Sequence, residues 1–311
     1  MTVDRLIAIV GPTAVGKTRL AIDLALRLSG EIISGDAFQV YRGLDIGTAK
    51  PDAAERRGVP HHLIDILDPR EEFSVVDFQA RAAAIVAAVN ARGAIPILAG
   101  GTGLYVRALL EGYRFNAAPG DENVRRRYTA LAERHGNAYI HGLLQAADPE
   151  TAARLHPNDT RRIIRALESR ELSGEQVSRE RNAAPVYDSL VIGLTMDRGK
   201  LYDRINSRVD DMLAAGLLDE VAGLLASGVP PDAQSLQAIG YKELVAHLAG
   251  RVDLATAVAA IKQATRNFAK RQYTWFRRMT YIQWVDVEKF AEYDTMLAYI
   301  YSMAAGKFLR G

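Results

Sequence analysis

The segment that most constrains this chain is an apolar run, Leu6-Ile7-Ala8-Ile9-Val10, that opens directly into Gly11-Pro12-Thr13-Ala14-Val15-Gly16-Lys17-Thr18. The run reads as a buried strand, and Leu20, Leu24 and Leu28 recur beyond the loop at helical spacing. Strand, glycine-bounded loop and helix in that order form a phosphate-binding loop. Glycines at 11 and 16 let the backbone curl so that successive N–H groups face one anion. The helix presents its positive end to the same anion. Lys17 adds a point charge, and the Thr18 hydroxyl offers a ligand to Mg²⁺. A di- or triphosphate is therefore the expected ligand, and the loop alone does not say which.

The pattern after the loop predicts an α/β fold. Helix Arg19–Leu28 is followed by strand Glu31–Ser34, a third strand over His62–Leu67, helix Val75–Asn90, strand Ala94–Ala99 and helix Leu104–Glu111. Such alternation implies a parallel sheet covered on both faces. Ligands bind at the carboxyl ends of such strands. Gly11–Thr18, Asp36 and Gly100-Gly101-Thr102-Gly103 all fall there. From Tyr113 to Pro185 strand signals vanish and charged helical segments take over, at Glu122–Arg134, Ala138–Ala146 and Thr160–Leu172. The expected organisation is a phosphate-loop core, residues 1–112 and 187–311, with a helical insertion at 113–186. The core resumes with strand Leu190–Thr195, helices Lys200–Ala215 and Leu217–Ser227, a long helical stretch Val252–Met279 and a last strand Tyr281–Val287.

Two polar positions at the strand ends and a pair of arginines on a predicted helix are candidates for chemistry. Asp36 suits a general base or metal ligand, although aspartate there also makes turns and caps. Thr102 could donate to a leaving-group oxygen or simply cap the next helix. Arg204 and Arg208, one helical turn apart, could clamp an anion or pair with Asp211. His61 and His62 are neighbours on a strand and face opposite ways, which suits structural roles.

The 311 residues carry a net charge of only +2, so nucleic-acid binding has to be argued from where the basic residues sit. Arg161, Arg162 and Arg165 share one predicted helix. Between Lys262 and Thr280 lie Lys262, Arg266, Lys270, Arg271, Arg277 and Arg278, with aromatics interleaved and no acid. A phosphate backbone with unstacked bases calls for such a run, as does an ordinary solvated helix face. The chain has no cysteine, which excludes a disulfide framework and a Cys-ligated zinc module and fits a reducing cytoplasm. No apolar stretch approaches the ~20 residues that span a bilayer, and the first strand leaves no room for a signal peptide.

Several separated segments resemble one family, the tRNA dimethylallyltransferases. They are Gly11–Thr18, Asp36–Tyr41 with Gly43–Pro51, Gly100–Tyr105, His156–Asp159 leading to Arg165–Glu168, Arg204–Leu213, Ala238–Glu243, and Thr265-Arg266 through Lys270-Arg271-Gln272 to Trp275-Phe276-Arg277. They run nearly end to end in family order, and the set is far more specific than its phosphate loop. The resemblance implies transfer of a dimethylallyl group from dimethylallyl diphosphate to N6 of the adenosine 3′ of the anticodon, in tRNAs reading codons that begin with U. It implies that Gly11 to Thr18 hold the prenyl diphosphate, with Mg²⁺ partly on Thr18; relatives are often labelled ATP-binding because of this loop. By the same match Asp36 is the base, while Thr102 and Arg208 meet the leaving group. Asp36, Ala37, Phe38, Gln39 and Thr102 would contact the target nucleotide and its neighbours. Arg161, Arg162, Ile163, Ile164 and Arg165, together with Arg266, Lys270, Arg271 and Arg277, would grip the anticodon stem-loop. Ala37 stands where the family usually has serine, and Arg161 where glutamine is common. The short bacterial form, a monomer in the cytoplasm, is expected.

Other readings explain less. A small-molecule kinase accounts for the loop but not for the basic run or the helical insertion. An isopentenyltransferase acting on free adenine nucleotides needs no tRNA-gripping surface. A non-catalytic RNA-binding protein would not need Lys17, Thr18, Asp36 and Thr102 together.

Overall fold

In the computed structural model of the chain, which describes residues 3–115, 120–173, 179–180 and 184–309, the opening apolar run becomes β1 (Arg5–Val10). Side chains alternate across a strand, and here both sides are apolar. Leu6, Ala8 and Val10 enter one core, Ile7 and Ile9 another, and all five are fully buried. A strand buried on both faces must lie inside a parallel sheet. Each such Leu, Ile or Val contributes roughly 1.5–3 kcal/mol, against at most about 1 kcal/mol for an exposed ion pair. Apolar burial therefore decides where β1 lies.

The remaining elements follow in chain order. Helix α1 (Lys17–Leu28) leads to β2 (Gly30–Ser34), a short α2 (Ala53–Arg56), β3 (His61–His62), α3 (Val75–Ala91), β4 (Ile95–Gly100) and α4 (Gly103–Leu110). Next come β5 (Arg114–Phe115), α5 (Glu122–His135), α6 (Asn137–Ala147), α7 (Pro149–Arg154), α8 (Thr160–Ser173) and β6 (Arg179–Glu180). The chain then forms β7 (Asp188–Thr195), α9 (Arg198–Ala214), α10 (Leu217–Ala226), α11 (Tyr241–Leu248), α12 (Leu254–Phe276), β8 (Gln283–Asp286) and α13 (Tyr293–Phe308). Six strands make one parallel sheet in the order β3-β2-β4-β1-β7-β8.

The expected third strand is shorter than its apolar content suggests. Leu63 and Asp65 both adopt positive φ, 60° and 58°, which a continuing strand does not tolerate. Pairing therefore stops at His62 and returns only as a single bridge between Tyr41 and Leu67. The expectation that strand structure is lost after Tyr113 also needs correcting: β5 and β6 pair antiparallel over two residues each.

The chain divides into two compact units, residues 1–112 with 183–311, and residues 113–182. The closing boundary of the smaller unit lies beside residues 181–183, outside those described. Its core is made by Ile140, Leu144, Leu155, Ile163, Ile164 and Leu167. In the larger unit, α1 packs through Leu20 and Leu24 on the core that takes Ile7 and Ile9. Helix α4 packs through Val106 and Leu109 on the core that takes Leu6 and Val10. The chain thus leaves β1 toward one face of the sheet and leaves its neighbour β4 toward the other. A crevice opens between adjacent carboxyl ends where connections diverge in this way.

Candidate active site

The phosphate loop occupies that crevice. Gly11 has φ 143°, and a Cβ there would stand 2.7 Å from the Leu194 carbonyl, so the first glycine is required by contact with β7. Ala14 has φ 65°, and Gly16, at φ 103°, is the N-cap of α1. Space around Gly16 is open, which leaves the backbone accessible to a ligand. The helix starts at Lys17, and its unpaired N–H groups and positive end face the same opening. The Lys17 ammonium donates to the Pro12 carbonyl at 2.7 Å.

The second wall comes from the end of β2. The backbone N–H groups of Phe38 and Gln39 both donate to Asp36 Oδ1, at 2.8 and 3.4 Å. Among the described residues no donor reaches Oδ2. Asp36 therefore makes the turn that its position suggested and keeps one oxygen for other use. The loop that follows is anchored on both flanks. Glu220 accepts from the N–H groups of Asp45 and Ile46 at 3.0 and 2.8 Å, and from the Tyr241 hydroxyl. Lys50, nearly inaccessible, donates to the Tyr41 carbonyl at 2.8 Å and meets Asp45 and Asp65.

These pieces line one cavity of about 1040 Å³ within the larger unit. Its walls include Thr13, Ala14, Gly16, Lys17, Thr18, Asp36, Gln39, Gly100, Gly101, Arg204, Arg208, Phe268 and Gln272. Both Arg204 and Arg208 line it, which fits the anion clamp rather than pairing with Asp211. Lys17, Asp36 and Arg208 keep part of their surface open to the cavity, yet the walls displace most of the water around them. Burial lowers the Lys17 pKa to about 7; Arg208 adds to the effect and Asp36 opposes it. Burial raises Asp36, against the pull of the Phe38 and Gln39 N–H groups, Lys17 and Arg208. Burial lowers Arg208, with Asp36 and Glu55 opposing. One carboxylate thus faces two cations in a poorly solvated site, an arrangement suited to proton transfer beside a bound anion.

The other predicted residues are placed differently. Thr102 lies outside the cavity lining, at the N-cap of α4, and its hydroxyl makes no capping bond. Gly11, Pro12 and Val15 are buried beneath the loop. Ala37 and Phe38 pack against the core. The Gln39 side chain is bonded within the protein, to Ser34 at 2.8 Å and to the Thr48 and Ala49 carbonyls at 3.2 and 3.3 Å. On α12, Arg266 donates to Asn206 at 2.6 Å and Lys262 to Asp210 at 2.8 Å, so these two hold α9. Lys270, Arg271 and Arg277 are exposed; Arg271 and Arg277 lie over the Phe268 and Tyr273 rings. In the smaller unit Arg161 and Arg162 are exposed, whereas Ile163 and Ile164 are core residues. Arg165 pairs with the fully buried Glu168, which also accepts from Arg125 and from the Asp121 N–H.

No group of three or more His, Cys, Asp or Glu that could hold a metal occurs among the described residues. Thr18, on the cavity wall beside the phosphate loop, offers one hydroxyl. A divalent cation that binds through phosphate oxygens, water and a single protein oxygen fits that donor set; one needing a protein cage does not.

A family model described as IPP transferase matches residues 39–279. The chain belongs to the IPP transferase family. The tRNA dimethylallyltransferase of Symbiobacterium thermophilum is 55% identical over 91% of this chain and 89% of its own length. That of Bacillus subtilis is 48% identical over 98% of each. Among solved structures, a tRNA isopentenylpyrophosphate transferase from Bacillus halodurans is similar with a TM-score of 0.75 and 47% identity, covering 98% of this chain and 97% of that one. A eukaryotic dimethylallyltransferase described as acting on tRNA is similar with a TM-score of 0.82 and 29% identity, covering 98% and 79%. No described helix is long and apolar enough to cross a membrane.

The depressed Lys17 pKa makes anion binding proton-linked. At pH 8 the free lysine is mostly neutral, and an adjacent diphosphate favours its charged form. Binding of inorganic diphosphate should therefore take up about one more proton in the wild type than in Lys17→Arg, whose guanidinium stays charged. Calorimetry in buffers of different ionisation enthalpy reads the difference. Equal uptake in both proteins would contradict the assignment.

Proposed function

We propose that the chain transfers the dimethylallyl group of dimethylallyl diphosphate to N6 of the adenosine 3′ of the anticodon, in tRNAs that read codons beginning with U. The observation that carries this reading is the presence of Asp36 in the same cavity as the phosphate loop and Arg208. Family membership supports the reaction class.

The N6 lone pair of adenine is delocalised into the ring and attacks poorly. As the C–N bond to the prenyl carbon forms and the C–O bond to diphosphate breaks, Asp36 accepts the N6 proton. Its raised pKa makes it a better acceptor than an ordinary carboxylate, and Lys17 and Arg208 oppose that rise. The backbone N–H groups of Ala14–Thr18, with Lys17 and Arg208, receive the charge that grows on the departing diphosphate. Thr102, adjoining the glycine turn, is assigned a supporting contact to substrate. Mg²⁺ on the Thr18 hydroxyl would supply further charge neutralisation at the diphosphate.

For a pocket at the sheet edge to reach the adenosine, the base must leave its stack. The backbone of Asp36–Gln39 is assigned to that nucleotide, since the Gln39 amide is already bonded. Arg161, Arg162 and Arg165, with Lys270, Arg271 and Arg277, are assigned to the anticodon stem-loop. Ile163 and Ile164 would act from the core by holding α8, and Arg266 by holding α9. Phosphate contacts of this kind supply affinity, and the splayed bases supply selectivity. A cytoplasmic monomer completes the reading.

Asp36→Asn should lower turnover by roughly 10²–10⁴-fold, the range for a lost general base, and leave tRNA affinity within a few-fold. Single-turnover assays with separate tRNA-binding measurements test this, and wild-type turnover in the variant would remove Asp36 from the mechanism. Lys270→Ala and Arg271→Ala should each weaken tRNA binding and shrink the salt slope of log K by about 1. An unchanged slope would take α12 out of the interface.

A further inference from the structure

We infer that Gln272 is a positioning residue that sets the separation between the phosphate loop and the glycine turn after β4. It lies on α12, 259 residues from the loop in sequence, and is 4% exposed. Its Oε1 accepts from the Thr13 N–H at 2.8 Å, and its Nε2 donates to the Gly101 carbonyl at 2.9 Å. A backbone N–H needs an acceptor and a carbonyl needs a donor, so these partners fix the amide in one orientation. No other standard side chain offers an acceptor and an amide donor in that geometry at that reach. Asn carries the same groups but is one methylene shorter.

The glycine at 101 answers to the same contact. A Cβ there would stand 2.1 Å from Gln272 Nε2, whereas the next atom of the phosphate loop, the Gly11 carbonyl oxygen, is 3.6 Å away. Alanine at 101 would therefore displace the amide before it disturbed the loop backbone. One turn further along α12, Trp275 lies where a Cβ at Gly103 would be, 2.3 Å from Cδ1. The helix is thus seated on the glycine turn at two points, and Gln272 ties that seat to the loop. Thr13 is the third residue of the loop. With its N–H held by Gln272, the tip is fixed and the N–H groups from Ala14 onward stay available for phosphate oxygens.

This inference rests on the proposed prenyl transfer for its kinetic consequence, but not for its binding consequence. In Gln272→Leu both bonds are lost at nearly constant volume. Inorganic diphosphate binding, read by calorimetry, should weaken by ~10-fold or more, on the scale that small misplacements of a binding group produce. KM for dimethylallyl diphosphate should rise with it, while KM for tRNA stays within a factor of about 2. A general structural defect would move both. Gln272→Glu, which keeps the acceptor but not the donor, serves if the leucine variant does not fold. Gly101→Ala should reproduce the loss in the wild type and add little in a Gln272→Ala background, where the amide it would displace is gone. Wild-type diphosphate affinity in Gln272→Leu, or equal effects of Gly101→Ala in both backgrounds, would overturn the inference. Wild-type protein that binds diphosphate yet modifies no tRNA would instead count against prenyl transfer.

Discussion

The site depends on one electrostatic compromise: a carboxylate and two cations held together where the sheet meets a poorly solvated cavity. Any one of them alone would be strongly disfavoured as an ion there. Burial pushes Lys17 and Arg208 toward neutrality and Asp36 toward protonation, and each opposes that drift in the other kind. A bound diphosphate changes the balance by adding negative charge beside the cations. In the proposed transfer, pairing of Lys17 and Arg208 with that anion would loosen their hold on Asp36 and raise its basicity as the N6 proton is taken.

The fold supplies this arrangement through divergence at adjacent strands. The strand that carries the loop is buried on both faces, so it cannot shift without exposing Leu6–Val10. The loop after β2 is held from outside by Glu220 and from within by Lys50. Helix α12 links α9, through Lys262 and Arg266, to the glycine turn, through Gln272 and Trp275. Arg208, on α9, and the glycine turn are therefore braced by the same helix.

Local features were legible in the sequence. The loop, the strand ends and Asp36 depend on contiguous residues whose backbone demands are read directly. The third strand was over-read because apolar content does not reveal the positive φ of Leu63 and Asp65. Gln272 was quoted only as part of a matching motif, since its role requires two partners that are distant along the chain. Helix α13 went unread because its apolar residues are spread around the helix, with Met296, Leu297, Ile300 and Ala304 buried and Tyr299 exposed. The basic run on α12 proved to be of two kinds. Lys262 and Arg266 have acceptors on α9, while Lys270 and Arg271 are exposed, and spacing alone could not separate them. Glu168 was visible as a residue of the matching segment, but its full burial beneath Arg125 and Arg165 was not.

The most direct test of the account is to incubate the protein with Mg²⁺, dimethylallyl diphosphate and unmodified tRNA bearing adenosine 3′ of the anticodon. The tRNA is then digested and its nucleosides are weighed by mass spectrometry. The account predicts N6-dimethylallyl-adenosine, absent when that adenosine is replaced. Unmodified nucleosides, with phosphate transferred from ATP to a small acceptor instead, would contradict it.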